Sequence, residues 1–173
     1  MKQEILKFDF KFNSSDFFVS AKNNLAFNLV ANWPLWKNKF VYIYGPEGCG
    51  KTTICRMWEE KSNATYLSQN KLKQLIDTNF EIKDLDSKNW ILDNLDILIN
   101  KKKNSYDERI LNFLNFLKSS NNSFLLITSK KSPKLLNTKL QDLISRLSSM
   151  LVVEVKEPDE DLLMKIIEKY LLD

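Results

Sequence analysis

The sequence predicts an α/β fold in which a five-stranded parallel sheet carries helices on both faces, and three observations lead there. Short apolar, β-branched runs alternate with segments of helical periodicity, the pattern of a sheet wound with helices. A glycine-rich stretch, YGPEGCGKTT at 44–53, stands directly after one such run and directly before one such helix. The chain has 173 residues, 43% of them hydrophobic and 28% charged, which suits one domain with a continuous core rather than two domains or a disordered tail.

In chain order, SAKNNLAFNLVANW (20–33) has the apolar spacing of an amphipathic helix and precedes the first strand, FVYIY (40–44). Further strands are expected at ATYLS (64–68), WILDNLD (90–96), SFLLITS (123–129) and MLVVEV (150–155). Helices are expected to start near Thr52, Lys71, Tyr106 and Thr138. A last helix opens at Asp159, with Pro158 and acidic residues at its N-terminus. Leu162, Leu163, Ile166, Ile167, Tyr170 and Leu171 form its apolar stripe. No internal repeat or low-complexity linker interrupts the series.

Composition removes several functional classes. The chain contains no histidine, so neither a Cys/His zinc set nor a His-based triad can be assembled. Two cysteines, Cys49 and Cys55, are too few for a disulfide framework and read as reduced thiols. No apolar run reaches the roughly 18–20 residues that span a bilayer, and MKQEILKFDFKF is too polar for a signal peptide. A cytoplasmic protein with no membrane partner is the expectation. The net charge of +4 permits acidic partners, but only Lys101–Lys103 are clustered, as a solvated loop or a phosphate-contacting patch.

The glycine-rich stretch is the strongest chemical signal. Gly45, Gly50, Lys51 and Thr52 fit G-x-x-x-x-G-K-[ST], with Gly48, Cys49 and Thr53 completing the loop. Glycines let backbone N–H groups curl around phosphate oxygens, and the helix that follows adds positive partial charge. Lys51 is expected to reach the β- and γ-phosphates and Thr52 to ligate Mg²⁺. A magnesium site also needs a carboxylate at a neighbouring strand end, and Asp93 in WILDNLD supplies it. The following residue is Asn94, which orients water but accepts no proton, so hydrolysis by this chain alone is expected to be slow. Asp96 reads as a substitute acid or as a turn or helix cap. Thr128, with Ser129, would stand between the phosphate loop and Asp93 as a γ-phosphate sensor if its strand lies between theirs.

At LLITSKKSPKLLNTKLQDLISRL (125–147), taken with GPEGCGKT, LDNLD and DFFVSAKNN…NWPLW, the chain resembles the AAA+ module of DnaA-related regulators of the Hda family, the alphaproteobacterial HdaA-like form above all. The resemblance covers nearly the whole chain and implies a P-loop NTPase (AAA+) base domain over 17–157. It implies that Arg146 of the SRL triplet is an arginine finger reaching a neighbouring subunit's nucleotide, where the local reading is a helix-terminal arginine paired with Asp142. It places Phe18, Val19 and Asn23 beside the adenine of bound ADP or ATP. It implies an N-terminal tail, 1–16, whose Gln3, Ile5 or Leu6, and Phe8 dock on the DNA polymerase III sliding clamp, although ILKFDFKF also fits an edge strand. Residues 158–173 would be the remnant of a helical lid that this sequence does not continue. The implied partners are DnaA and the clamp, with a homo-oligomer open and no sequence-specific DNA contact, and the implied role is regulation of replication initiation. A self-contained ATPase and a nucleotide-independent adaptor are the rivals.

Overall fold

Alternation along the strands decides how the chain is layered. In β1 (Phe40–Tyr44), Val41 and Ile43 pack on one side of the sheet and Tyr42 on the other. The same period of two places Ile91 and Leu126 with the first group, and Trp90, Leu92, Leu125 and Ile127 with the second. Buried on both faces, these strands need helices on both sides, and the chain provides them.

The protein is seen here as a computed structural model, which describes residues 17–68, 70–72, 74, 89–99, 106–119 and 123–172. β2 (Thr65–Tyr66), β3 (Asn89–Leu92), β4 (Phe124–Ser129) and β5 (Leu151–Glu154) join β1 in one sheet of order β2-β3-β4-β1-β5. Every pairing is parallel. One face is covered by α1 (Asn24–Ala31) and α2 (Lys51–Ser62), through Ala26, Val30, Ile54, Cys55 and Trp58. The other is covered by α3 (Leu95–Ile99), α4 (Tyr106–Ser119) and α5 (Gln141–Ser148), through Leu95, Phe113, Leu117, Leu143 and Leu147. A final helix, α6 (Glu160–Leu172), starts where the Asp159 carboxylate accepts the Leu162 N–H at 3.0 Å. β4 does lie between β1 and β3, so the condition on Thr128 is met. The neighbours β1 and β4 lead to opposite sides of the sheet, to β2 and β5, and the crevice at the C-terminal ends of such a strand pair is where open α/β sheets hold ligands.

Several boundaries differ from the sequence reading. The strand expected over 90–96 stops at Leu92, because Asn94 takes a left-handed φ of 55° and turns the chain into α3. That turn is fixed by Thr128, whose Oγ1 accepts the Asn94 N–H at 3.0 Å. β2 is shorter than 64–68, although Leu67 N–H still donates to Ile91 O at 2.7 Å. α5 starts later than Thr138, which instead donates its hydroxyl to Asp107 and accepts the Leu140 N–H at 3.1 Å, shaping the approach to the helix. No helix among the described residues is long and apolar enough to cross a membrane. Gln3, Ile5, Leu6 and Phe8, like Lys101–Lys103, lie outside the described residues.

Candidate nucleotide-binding site

The phosphate loop leaves the C-terminal end of β1 and is clamped there. Gly45 N–H donates to Ser129 O at 3.2 Å, and a Cβ at Gly45 would stand 2.0 Å from Val155 O, so only glycine fits between β4 and the end of β5. Gly48 and Gly50 take φ of 76° and 95°, the left-handed values that let the loop curl back before α2. Lys51, first residue of α2, is 6% exposed. Its ammonium donates to Gly45 O at 2.8 Å and Pro46 O at 2.5 Å, and lies 3.6 Å from Cys49 Sγ. Among the described residues no carboxylate comes within ion-pair distance of it. Behind the loop, Trp58 and Cys55 anchor α2 in the core, and burial pushes the Cys55 thiol well above its ordinary value.

Asp93 lies just past β3 and faces both neighbours predicted for it. Thr52 Oγ1 donates to Asp93 Oδ2 at 3.0 Å, and Thr128 Oγ1 donates to Asp93 Oδ1. Thr128 is fully buried, so one hydroxyl fixes both the carboxylate and the Asn94 turn. A hydroxyl and a carboxylate held 3.0 Å apart fit a hard cation that takes its remaining ligands from phosphate and water. No group of three or more His, Cys, Asp or Glu gathers as a metal site among the described residues.

Asp96 is the second residue of α3, inside the helix rather than at its cap position. It is buried, and its Oδ1 accepts Ser129 Oγ–H at 3.1 Å and the Lys130 N–H at 2.9 Å, tying α3 to the end of β4. Tyr42 joins this cluster by donating its hydroxyl to Lys131 O at 2.8 Å, and burial raises its pKa far above the ordinary value. Across the cleft Lys130 pairs with Glu47 at the loop tip, 2.6 Å apart. Residues Glu47, Gly50, Lys51, Thr52, Asn94 and Lys130 are among the walls of a cleft of about 390 Å³. Glu47, Lys130 and the bonds of Asp96 escape the motif; the sequence signals them only by two charged residues, one in the loop and one just after β4.

The segment before α1 runs over the loop. The Phe17 ring lies 3.4 Å from where a Gly50 Cβ would be and stacks on Phe27, with centroids 5.8 Å apart. Asn23 is buried, donating to Phe18 O at 2.9 Å and accepting Ser20 N–H at 2.9 Å, so its amide shapes the segment rather than standing open. Val19 is exposed, and Lys169 of α6 sits 6.0 Å from the Phe18 ring. Phe18, Val19 and Asn23 are not walls of the 390 Å³ cleft.

Arg146 is not part of this site. It lies near the end of α5 and lines a separate cavity of about 470 Å³ with Lys37, Phe40, Lys118, Ser123 and Met150. Lys37, Phe40, Ser123 and Met150 precede or begin β1, β4 and β5, and Lys118 is near the end of α4, so the cavity is at the N-terminal edge of the sheet, roughly 13 Å of strand away from the phosphate loop. Arg146 makes no ion pair with Asp142, although the two are spaced to meet on α5.

A family profile described as "Novel STAND NTPase 3" matches residues 29–173. A Haemophilus influenzae protein described as uncharacterized is 28% identical over 138 residues, covering 76% of this chain and 58% of that one. The crystal structure of a DNA replication initiation factor superposes with a TM-score of 0.76 at 20% identity, over 94% of this chain and 54% of that one. DnaA from Aquifex aeolicus bound to AMPPCP superposes at 0.71 and 20% identity, again over 94% and 54%. The fold is therefore the P-loop AAA+-like one that DnaA also has, and the chain spans little more than half the length of these matched proteins.

Proposed function

Because the chain belongs to the Novel STAND NTPase 3 family, we propose that it is a nucleotide-dependent switch module that holds ADP or ATP with Mg²⁺ between residues 45–53 and the ends of β3 and β4. Lys51 carries the proposal. A buried ammonium bonded to carbonyls of its own loop, with no carboxylate beside it, is costly unless an anion joins it, and phosphate oxygens are the anion this loop shape accepts. Thr52 and Asp93 would hold the metal, which when bound offsets charge on the β- and γ-phosphates. Thr128 keeps Asp93 in place. Asn94 can orient a water but takes no proton from it, so the chain alone turns over slowly.

The more specific reading is a regulator of replication initiation of the Hda kind. In it Arg146, remote from its own cleft and free of Asp142, stabilises the charge that develops on ATP held by a neighbouring DnaA subunit. The DnaA-type fold and the SPKLLN…SRL resemblance support this choice of partner. Residues 1–16, through Gln3, Leu6 and Phe8, would tether the chain to the sliding clamp, 17–157 would form the nucleotide-binding domain, and 158–173 would open a lid. Phe18, Val19 and Asn23 would border the base.

The test adds the chain to DnaA–ATP and measures phosphate release. Arg146→Ala should fold and bind nucleotide as the wild type does but leave DnaA hydrolysis at its basal rate; undiminished stimulation would remove Arg146 from the mechanism. Turnover by this chain without DnaA, lost in Lys51→Ala and Asp93→Ala, would instead identify a self-contained ATPase. Failure to bind any nucleotide would leave an adaptor module.

A further inference from the structure

The tip of the phosphate loop is fastened across the mouth of the cleft by the Glu47–Lys130 pair, and the two ends of that fastening differ. Lys130 is held at its base. Its N–H and the neighbouring Ser129 hydroxyl both donate to the buried Asp96 carboxylate, and Ser129 Oγ in turn accepts the Lys131 N–H at 3.2 Å. Its ammonium, at the end of a flexible stem, is partly exposed, and Glu47 is 83% exposed on a loop whose next residue is a left-handed glycine. Such an exposed, solvent-screened pair adds little to stability. Its placement is more informative than its strength.

Glu47 sets a carboxylate on the rim of a cleft otherwise furnished with Lys51, hydroxyls and the start of α2. Toward an incoming phosphate that carboxylate is repulsive, unless the cation it holds changes partner. Carboxylate and phosphoryl oxygens are interchangeable acceptors for an ammonium. We propose that Lys130 is a phosphate-sensing cation and Glu47 its latch, so that the terminal phosphate of a bound triphosphate takes Lys130 from Glu47 and frees the loop tip. This rests on the nucleotide reading of the cleft and names the groups that tell triphosphate from diphosphate. Lys130 follows Thr128 by two residues, and with Asn94 and Lys51 it lines the same cleft, so its charge enters from the strand-end side, where the terminal phosphate is sensed.

Calorimetric titration of the whole chain with Mg²⁺–ADP and with a non-hydrolysable ATP analogue tests it. Lys130→Met should bind the analogue about tenfold more weakly and ADP within about twofold of wild type, the loss of one charge-assisted hydrogen bond. Lys130→Arg should restore most of the analogue affinity. Glu47→Gln should tighten analogue binding about threefold at low salt. A Lys130→Met chain that binds the analogue as wild type does, while Lys51→Ala binds neither nucleotide, overturns the latch and leaves the nucleotide site standing. Equal weakening toward both nucleotides overturns the assignment to the terminal phosphate. No binding of either nucleotide by the wild-type chain overturns both readings. The ligand-free melting temperature of Lys130→Met should stay within about 2 °C of wild type, which separates this role from a structural one.

Discussion

The two ends of the sheet are built in opposite ways. At the C-terminal end the polar groups are satisfied within the chain: Lys51 by loop carbonyls, Thr52 and Thr128 by Asp93, Ser129 and the Lys130 amide by Asp96. At the N-terminal end Arg146, Lys37 and Lys118 border a cavity, and among the described residues none of the three has a side-chain hydrogen bond or ion pair. A network closed on itself fixes geometry before any ligand arrives. Unpaired cations on an open cavity fix nothing; they suit a charge brought from outside. Substitutions at the first end should therefore cost stability and binding together, whereas those at the second should leave both intact.

The sharpest way to break that contrast is Gly45→Ala. The added Cβ meets Val155 O and the Cys49 sulfur, so the chain should lose about 1–3 kcal/mol of stability, read by urea denaturation, and lose nucleotide binding with it. Lys51→Ala comes next: nucleotide affinity should fall by at least about a hundredfold, out of calorimetric range, since a charge-assisted hydrogen bond in a buried site is lost. Asp96→Asn keeps an oxygen for Ser129 and the Lys130 amide but removes the charge that strengthens both bonds, and should destabilise by about 1–2 kcal/mol. Arg146→Ala is its counterpart at the other end and should fall within about 0.5 kcal/mol of wild type in the same denaturation. An Arg146→Ala chain as unstable as Asp96→Asn would erase the distinction.

The smallest expected effect is a pH response at the loop tip. The Lys130 hydrogen bond and charge hold the Glu47 carboxyl below its ordinary value, and Glu47 holds Lys130 above its own. A lowered carboxyl pKa means that the pair's contribution is present above the unfolded-state value and is lost as pH falls through the lower folded value. Followed by NMR, the Glu47 carboxyl should titrate at a lower pH in wild type than in Lys130→Met. Coincident titrations would show that the pair does not persist in solution.

Much of the C-terminal end was legible in the sequence, because motif and context agree there: apolar FVYIY feeds the loop, and Asp93 and Thr128 both meet at strand ends. What was not legible depends on contacts between distant segments. WILDNLD reads as one strand, yet a Thr128 hydroxyl 34 residues away turns it at Asn94. Asp96 reads as a catalytic substitute or a cap until the end of β4 is placed beside it. Glu47 and Lys130 are 83 residues apart, with no local pattern joining them. At the N-terminal end, local spacing argued for an Arg146–Asp142 pair that does not form, since i,i+4 spacing permits a contact without requiring one. Base contacts at Phe18, Val19 and Asn23 came only with the family resemblance, and the Asn23 amide proves committed to its own segment.

The most direct measurement is a single calorimetric titration with Mg²⁺–ADP of three chains: wild type, Lys51→Ala and Arg146→Ala. Saturable one-to-one binding that is shared by wild type and Arg146→Ala and abolished in Lys51→Ala is the predicted result. Binding that survives Lys51→Ala, or that is lost in Arg146→Ala, would contradict the division of labour between the two ends of the sheet.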